Sequence, residues 1–128
     1  MKYAQFIERV AGQAQVTLGQ AEALTTATLQ TLAERISGGE ARDLAAQLPK
    51  ELQGPLDKKR EPAEAFDVNE FIRRVSTRAG TDLDTAGRGT RSVFQTLNAA
   101  VTTGEFEDVL SQLPKQFREL IPAVARQG

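Results

Sequence analysis

The chain repeats itself. GEARDLAAQLPKEL, from Gly39 to Leu52, returns as GEFEDVLSQLPKQF from Gly104 to Phe117. Displaced by 65 residues, the distance from Phe6 to Phe71, the sequence matches itself without a gap. Phe6, Ile7, Arg9 and Val10 fall on Phe71, Ile72, Arg74 and Val75, and Gln30, Thr31 and Leu32 fall on Gln95, Thr96 and Leu97. Gly39, Glu40 and Asp43 fall on Gly104, Glu105 and Asp108, and the run Gln47 to Lys50 falls on Gln112 to Lys115. Roughly a third of about fifty aligned positions are identical, which reads as a tandem duplication. Whatever one copy folds into, the other must be able to fold into as well. A unit of about 55 residues is small for a core of its own, so the copies are expected to pack together across a pseudo-twofold contact.

Each copy has the helical period. Tyr3, Phe6, Ile7, Val10 and Ala14 form one stripe, repeated by Val68, Phe71, Ile72, Val75 and Ala79. A second stripe runs through Leu18, Ala21, Thr25, Thr28, Leu32 and Ile36, with Leu83, Ala86, Thr90, Val93, Leu97 and Val101 as its partners. The pairs Thr17/Gln20, Ser37/Glu40, Asp67/Glu70 and Thr102/Glu105 have capping-box spacing. Glu40 and Glu105 are therefore expected to reach back to the first N–H of a short third helix, with Gly39 and Gly104 inside its first turn. Pro49 and Pro114 suit the first position of a fourth helix, and the leucines before them are pushed out of the α region. The pattern predicts helices over 2–14, 18–36, 39–47 and 49–56, then 68–79, 83–101, 104–112 and 114–124. The expected fold is all-α: two tandem pseudo-symmetric four-helix repeats, 1–56 and 68–128, packed into one compact helical domain. The segment 57–67 reads as a charged, proline-containing linker.

A chain built as F-x-x-x-V, a long helix ending in T-L, and G-E-x-x-D followed by Q-L-P-K, twice over, resembles the bacterial domain-of-unknown-function family numbered 2267. Phe6/Val10, Thr31-Leu32, Gly39-Glu40, Asp43-Leu44, Gln47-Leu48-Pro49 and their copies carry the resemblance across nearly the whole chain. It implies a small, intracellular, mostly helical bacterial protein and supplies no catalytic residue. One departure is AGRGTR, which puts Gly87 and Gly89 where Glu22 and Leu24 stand in the first copy. No strand-like segment precedes this G-x-G, so it reads as close helix packing, a kink in the long helix or mere drift, and not as a nucleotide loop.

Composition narrows the chemistry. The chain has no histidine and no cysteine, which removes the common nucleophile pairs, thiolate metal sites and the usual transition-metal ligand. Sixteen basic side chains against 17 acidic ones leave a net charge of −1, which argues against a broadly basic nucleic-acid binder. The first residues, MKYAQFIERVAG, carry Glu8 and Arg9 and no long apolar run, so neither a signal peptide nor a membrane span is expected.

Glu40, Asp43, Glu105, Glu107 and Asp108 offer carboxylates for a divalent metal, but acids in the first turn of a helix are expected as caps, and capping is the preferred reading. No metal or cofactor is expected. The best functional hint is a set of arginines within twenty residues, Arg73, Arg74, Arg78, Arg88 and Arg91, as a contact for an anion or an acidic partner. A structural alternative is that Arg9 and Arg74 each bond an acid in their own repeat. The sequence thus points to a non-catalytic protein-interaction or structural module in the cytoplasm, with a protein partner of unknown identity and room for self-association. The second reading is a polyanion or nucleic-acid binder using the arginine strip.

Overall fold

After the first helix, which starts behind Lys2, the α-helices begin where a short polar side chain stands ahead of an apolar stripe. In the computed structural model, which describes residues 1–57 and 62–121, six α-helices are formed: α1 Tyr3–Ala14, α2 Leu18–Arg35, α3 Gly38–Ala46, α4 Val68–Ala79, α5 Leu83–Ala100 and α6 Thr103–Ser111. Thr17 Oγ1 accepts from the Gln20 N–H at 3.1 Å, Asp67 Oδ1 from Glu70 at 2.9 Å and Asp82 Oδ1 from Thr85 at 2.7 Å. Each bond satisfies one of the N–H groups that an α-helix leaves unpaired at its start. At the other end α1 and α4 stop on left-handed residues, Gln15 at φ 59° and Gly80 at φ 67°. Among the described residues there is no strand, and no helix is long and apolar enough to cross a membrane.

The element lengths recur in order, 12, 18 and 9 residues for α1, α2 and α3 and again for α4, α5 and α6. Each helix of the second half starts 65 residues after its counterpart, as Val68 does after Tyr3. The expected fourth helices differ. Pro49 and Pro114 do not occupy a first helical position. Their backbones are extended, at ψ 152° and 154°, and lead into 3-10 turns over Lys50–Leu52, Gly54–Leu56 and Lys115–Leu120. In the first half Pro55, which has no N–H, stands where a continuing helix would need a donor. In the second half Ile121 precedes Pro122 and leaves the helical region at ψ 73°. Residues 122–124 of the expected last helix lie outside the described residues, as do residues 58–61 of the charged linker.

The stripes become the core. Phe6, Ile7, Val10 and Ala14 of α1 are buried, as are Phe71 and Val75 of α4, and along α5 so are Ala86, Thr90, Val93 and Leu97. Each of the larger apolar side chains contributes on the order of 1.5–3 kcal/mol by leaving water. Leu18 and Leu83 depart from the expectation. They head the second stripes yet stay 55% and 59% exposed, because the first helical residue of α2 and of α5 projects beyond the packed region.

The packing crosses between halves. α1 lies against α2 and α5, α4 lies against α5 and α2, and the two long helices α2 and α5 touch in the middle. Here the glycine departure finds its reason. A Cβ on Gly89 would stand 2.7 Å from Leu24 Cδ2, so the leucine of α2 occupies the room the glycine of α5 leaves. Positions 24 and 89 are 65 residues apart, so a position meets its own counterpart there, and two leucines would collide. Three phenylalanines of the second half meet in the core: the Phe71 ring stands edge-on to Phe94 at 5.8 Å and to Phe117 at 5.2 Å between centroids.

Candidate functional site

The arginine set divides between two helix seams. On α4, Arg74 and Arg78 turn toward α2, where Glu34 receives both. Arg78 donates to the two carboxylate oxygens of Glu34 at 2.8 and 2.7 Å and to Thr31 Oγ1 at 2.8 Å. Arg74 reaches Glu34 Oε1 at 3.0 Å, Glu70 Oε2 at 2.9 Å and Glu64 Oε1 at 3.3 Å. Its guanidinium also lies 3.9 Å from the centre of the Phe66 ring, a cation–π contact. Arg73 stays largely exposed and pairs with Glu70 one turn away. Arg88 belongs to the other seam: its Nε donates to the Ala14 carbonyl oxygen of α1 at 3.1 Å, and it pairs with Asp84. Arg91, on α5, is exposed and makes no ion pair with a described residue. The five therefore do not converge on one face.

These pairs set protonation. The Arg78 hydrogen bonds hold the Glu34 carboxyl below its ordinary value against a smaller opposing effect of burial. Hydrogen bonding to Arg74 lowers Glu70 in the same sense. Arg74 and Arg9 occupy equivalent positions but not equivalent surroundings. Where Arg74 has Glu70 and Glu34, Arg9 has Gln5 and Ala99 at the corresponding places, and it makes no ion pair with a described residue. The expected acid in the same repeat is present for Arg74 alone.

The second cluster lies where α3 meets α6. Ser37 and Thr102 cap these helices, accepting from the N–H of Glu40 and of Glu105 at 3.2 Å each. The reciprocal half of each capping box, expected from Glu40 and Glu105, comes instead from the opposite half of the chain. Gln112 Oε1 accepts the Ser37 N–H at 2.8 Å while its Nε2 donates to Ser37 Oγ at 3.3 Å. Gln47 Oε1 accepts the Thr102 N–H at 2.8 Å while its Nε2 donates to Thr102 Oγ1 at 3.3 Å. The two glutamines of the repeated Q-L-P-K run are thus crossed caps, a role that spacing within one copy does not reveal. Arg35 adds a tie beside one of them, donating to the Gln112 carbonyl oxygen at 3.2 Å and to that of Phe66 at 2.9 Å.

Relieved of capping, the two glutamates face one another. One carboxylate oxygen from each of Glu40, Asp43 and Glu105 lies within 4.8 Å of the others. Glu105 is 8% exposed, and its Oε2 and the Oε2 of Glu40 are buried without a hydrogen-bond partner. Burial, then hydrogen bonding to Glu40, then the charges of Glu40, Asp43 and Asp108 push the Glu105 carboxyl up to about 8. Glu107 takes no part; it pairs with Arg118 at 3.0 Å.

The residues that build this arrangement are those of the repeated motif: phenylalanine and valine on the first helix, the G-E-x-x-D turn, and the Q-L-P-K corner that supplies each crossed cap. No curated protein matches the chain. The model of the family described as an uncharacterized conserved protein (DUF2267) matches it over residues 3–120, from the first turn of α1 to the last 3-10 turn, and the chain belongs to that family.

Proposed function

We propose that the protein is a non-catalytic helical module that serves protein interaction or a structural role, in the bacterial cytoplasm, built from two pseudo-symmetric copies of one unit. The observation that carries this reading is the pair of exposed leucines, Leu18 and Leu83, at equivalent positions of α2 and α5. Each heads a long helix and lies more than half exposed, which leaves two large apolar side chains at equivalent places open to a partner. Three of the arginines that a ligand would use already have acidic partners, Arg74 and Arg78 in Glu34 and Arg88 in Asp84. The experiment is affinity capture from the source cell's lysate, with and without nuclease, using the native chain and a Leu18→Ser/Leu83→Ser variant. A partner set that survives nuclease and is lost with the double variant supports the reading; a partner set indifferent to the leucines overturns it.

The second reading, binding of a polyanion, rests on Arg73 and Arg91, which remain exposed. It expects nuclease to remove the captured material and a steep loss of binding with salt. Arg73→Ala/Arg91→Ala is the informative variant, since Arg74 and Arg78 also hold helices together.

A further inference from the structure

The carboxylates between α3 and α6 call for an occupant other than a helix N-terminus. The N–H groups of Ser37, Glu40, Thr102 and Glu105 are bonded to Gln112, Ser37, Gln47 and Thr102, so neither Glu40 nor Glu105 closes a capping box. Yet Glu105 is 8% exposed, and the Oε2 atoms of Glu105 and Glu40 are buried without a hydrogen-bond partner. A buried carboxylate among other carboxylates is costly unless a proton or a cation neutralises it. The charges that act most on Glu105 are acids: Glu40 and Asp43 from α3, and Asp108 from its own helix.

We propose that Glu40, Asp43 and Glu105 form a binding site for a hard divalent cation that bridges the two halves of the chain. The distances meet the requirement. Oxygens bound to one cation at about 2.3–2.6 Å are separated by no more than about 4.6–5.2 Å. The three donors lie within 4.8 Å of one another. An all-oxygen set without histidine or cysteine suits calcium, magnesium or manganese and disfavours zinc or copper. Asp43 is exposed and gives the ion a route from solvent, and Asp108 brings a fourth negative charge near the site. A bound cation offsets the negative charge gathered around Glu105, and it adds an ionic tie to the crossed glutamine caps.

The test uses the full chain stripped with a chelator and titrated in turn with calcium, magnesium and manganese chlorides at constant ionic strength. Calorimetry is expected to give a saturable one-site isotherm for at least one ion. The melting temperature is expected to rise on the order of 10 °C at a cation concentration about a hundredfold above Kd. Glu105→Gln and Asp43→Asn are each expected to weaken binding at least about tenfold with the helical circular dichroism unchanged, whereas Glu107→Gln leaves it intact. Asp43 is on the surface, so its variant reports on the site even if Glu105→Gln perturbs the fold. Absence of saturable heat for all three ions up to about 10 mM overturns the site. So does a melting shift of equal size in the native chain and in Asp43→Asn, because that would be general ionic screening.

Discussion

Replacing Gln112 by alanine removes two hydrogen bonds from a helix that lies in the other half of the chain. The Ser37 N–H loses its partner and the Ser37 hydroxyl keeps only the Glu40 N–H, and Gln47 stands in the same relation to Thr102. Loss of a helix cap costs about 1 kcal/mol, so Gln47→Ala and Gln112→Ala are each expected to lower the melting temperature by about 3–5 °C. In chelator-treated protein Glu40→Ala is expected to leave the melting temperature unchanged or raise it, since that side chain closes no capping box and its Oε2 has no partner. Thermal denaturation of the three variants checks this. Glu105 predicts a pH profile in chelator-treated protein. Its carboxyl titrates near 4.5 ordinarily and at about 8 in the fold, so the folded state binds the extra proton between those values. Stability then falls as pH rises from about 5 to about 8, by on the order of a few kcal/mol in total. Glu34 acts in the opposite sense: its lowered carboxyl contributes stability above about pH 4.5 that is lost as pH falls through its folded value. Denaturant midpoints against pH should therefore peak near pH 5. Glu105→Gln should flatten the descent toward pH 8 and leave the acid limb in place. A stability that is level from pH 5 to 8 in the native chain would show that Glu105 ionises freely.

At the scale of the element, α5 carries two glycines with different neighbours. At Gly89 a Cβ would meet three atoms of Leu24 at 2.7 to 3.0 Å, and Leu24 is buried in the core, so Gly89→Ala is expected to cost about 1–3 kcal/mol. At Gly87 the nearest atom is Ile72 Cδ1 at 4.0 Å, an ordinary contact. Gly87→Ala is expected to stabilise by up to about 1 kcal/mol, the difference in helix propensity. A second substitution, Leu24→Ala, should recover part of the Gly89→Ala loss, and a double-mutant cycle measures the coupling. These elements also show what the sequence made readable. The stripes and the hydroxyl and aspartate caps are local signals, the recurrence at 65 residues needs only the sequence laid against itself, and six α-helices form where they predicted helix. The proline corners failed as helix starts because a proline fixes only its own backbone. The turns beyond them depend on Pro55 and on the residue before Pro122. The crossed caps were out of reach for another reason. Gln47 is 55 residues from Thr102, and only the contact of α3 with α6 joins them. Glu34 was silent as well, because the other copy has alanine at that position and repetition offered no hint of it. For the arginines, position was legible and partner was not.

For the whole molecule, the packing sets a condition on the halves. α1 rests on α5 as well as on α2, and α4 rests on α2 as well as on α5. Cutting the chain between them therefore exposes both faces of contact at once. Phe6 and Phe71, fully buried in the intact fold, each sit on a helix that packs across the divide. The ion pairs of Arg74 and Arg78 with Glu34 and both glutamine caps cross it too. A segment of about 55–65 residues that has lost such contacts lacks the buried area a stable domain needs. Residues 1–57 and residues 62–128, made separately, are accordingly expected to show little helicity alone and to recover it when mixed at equal concentration. Inserting a protease site between residues 57 and 62 gives the complementary measurement. After cleavage the two pieces should elute together from a sizing column and melt in one transition whose midpoint rises with concentration. Two independent transitions, or full helicity in either isolated piece, would mean that each repeat is a domain by itself and that the crossed contacts only decorate it.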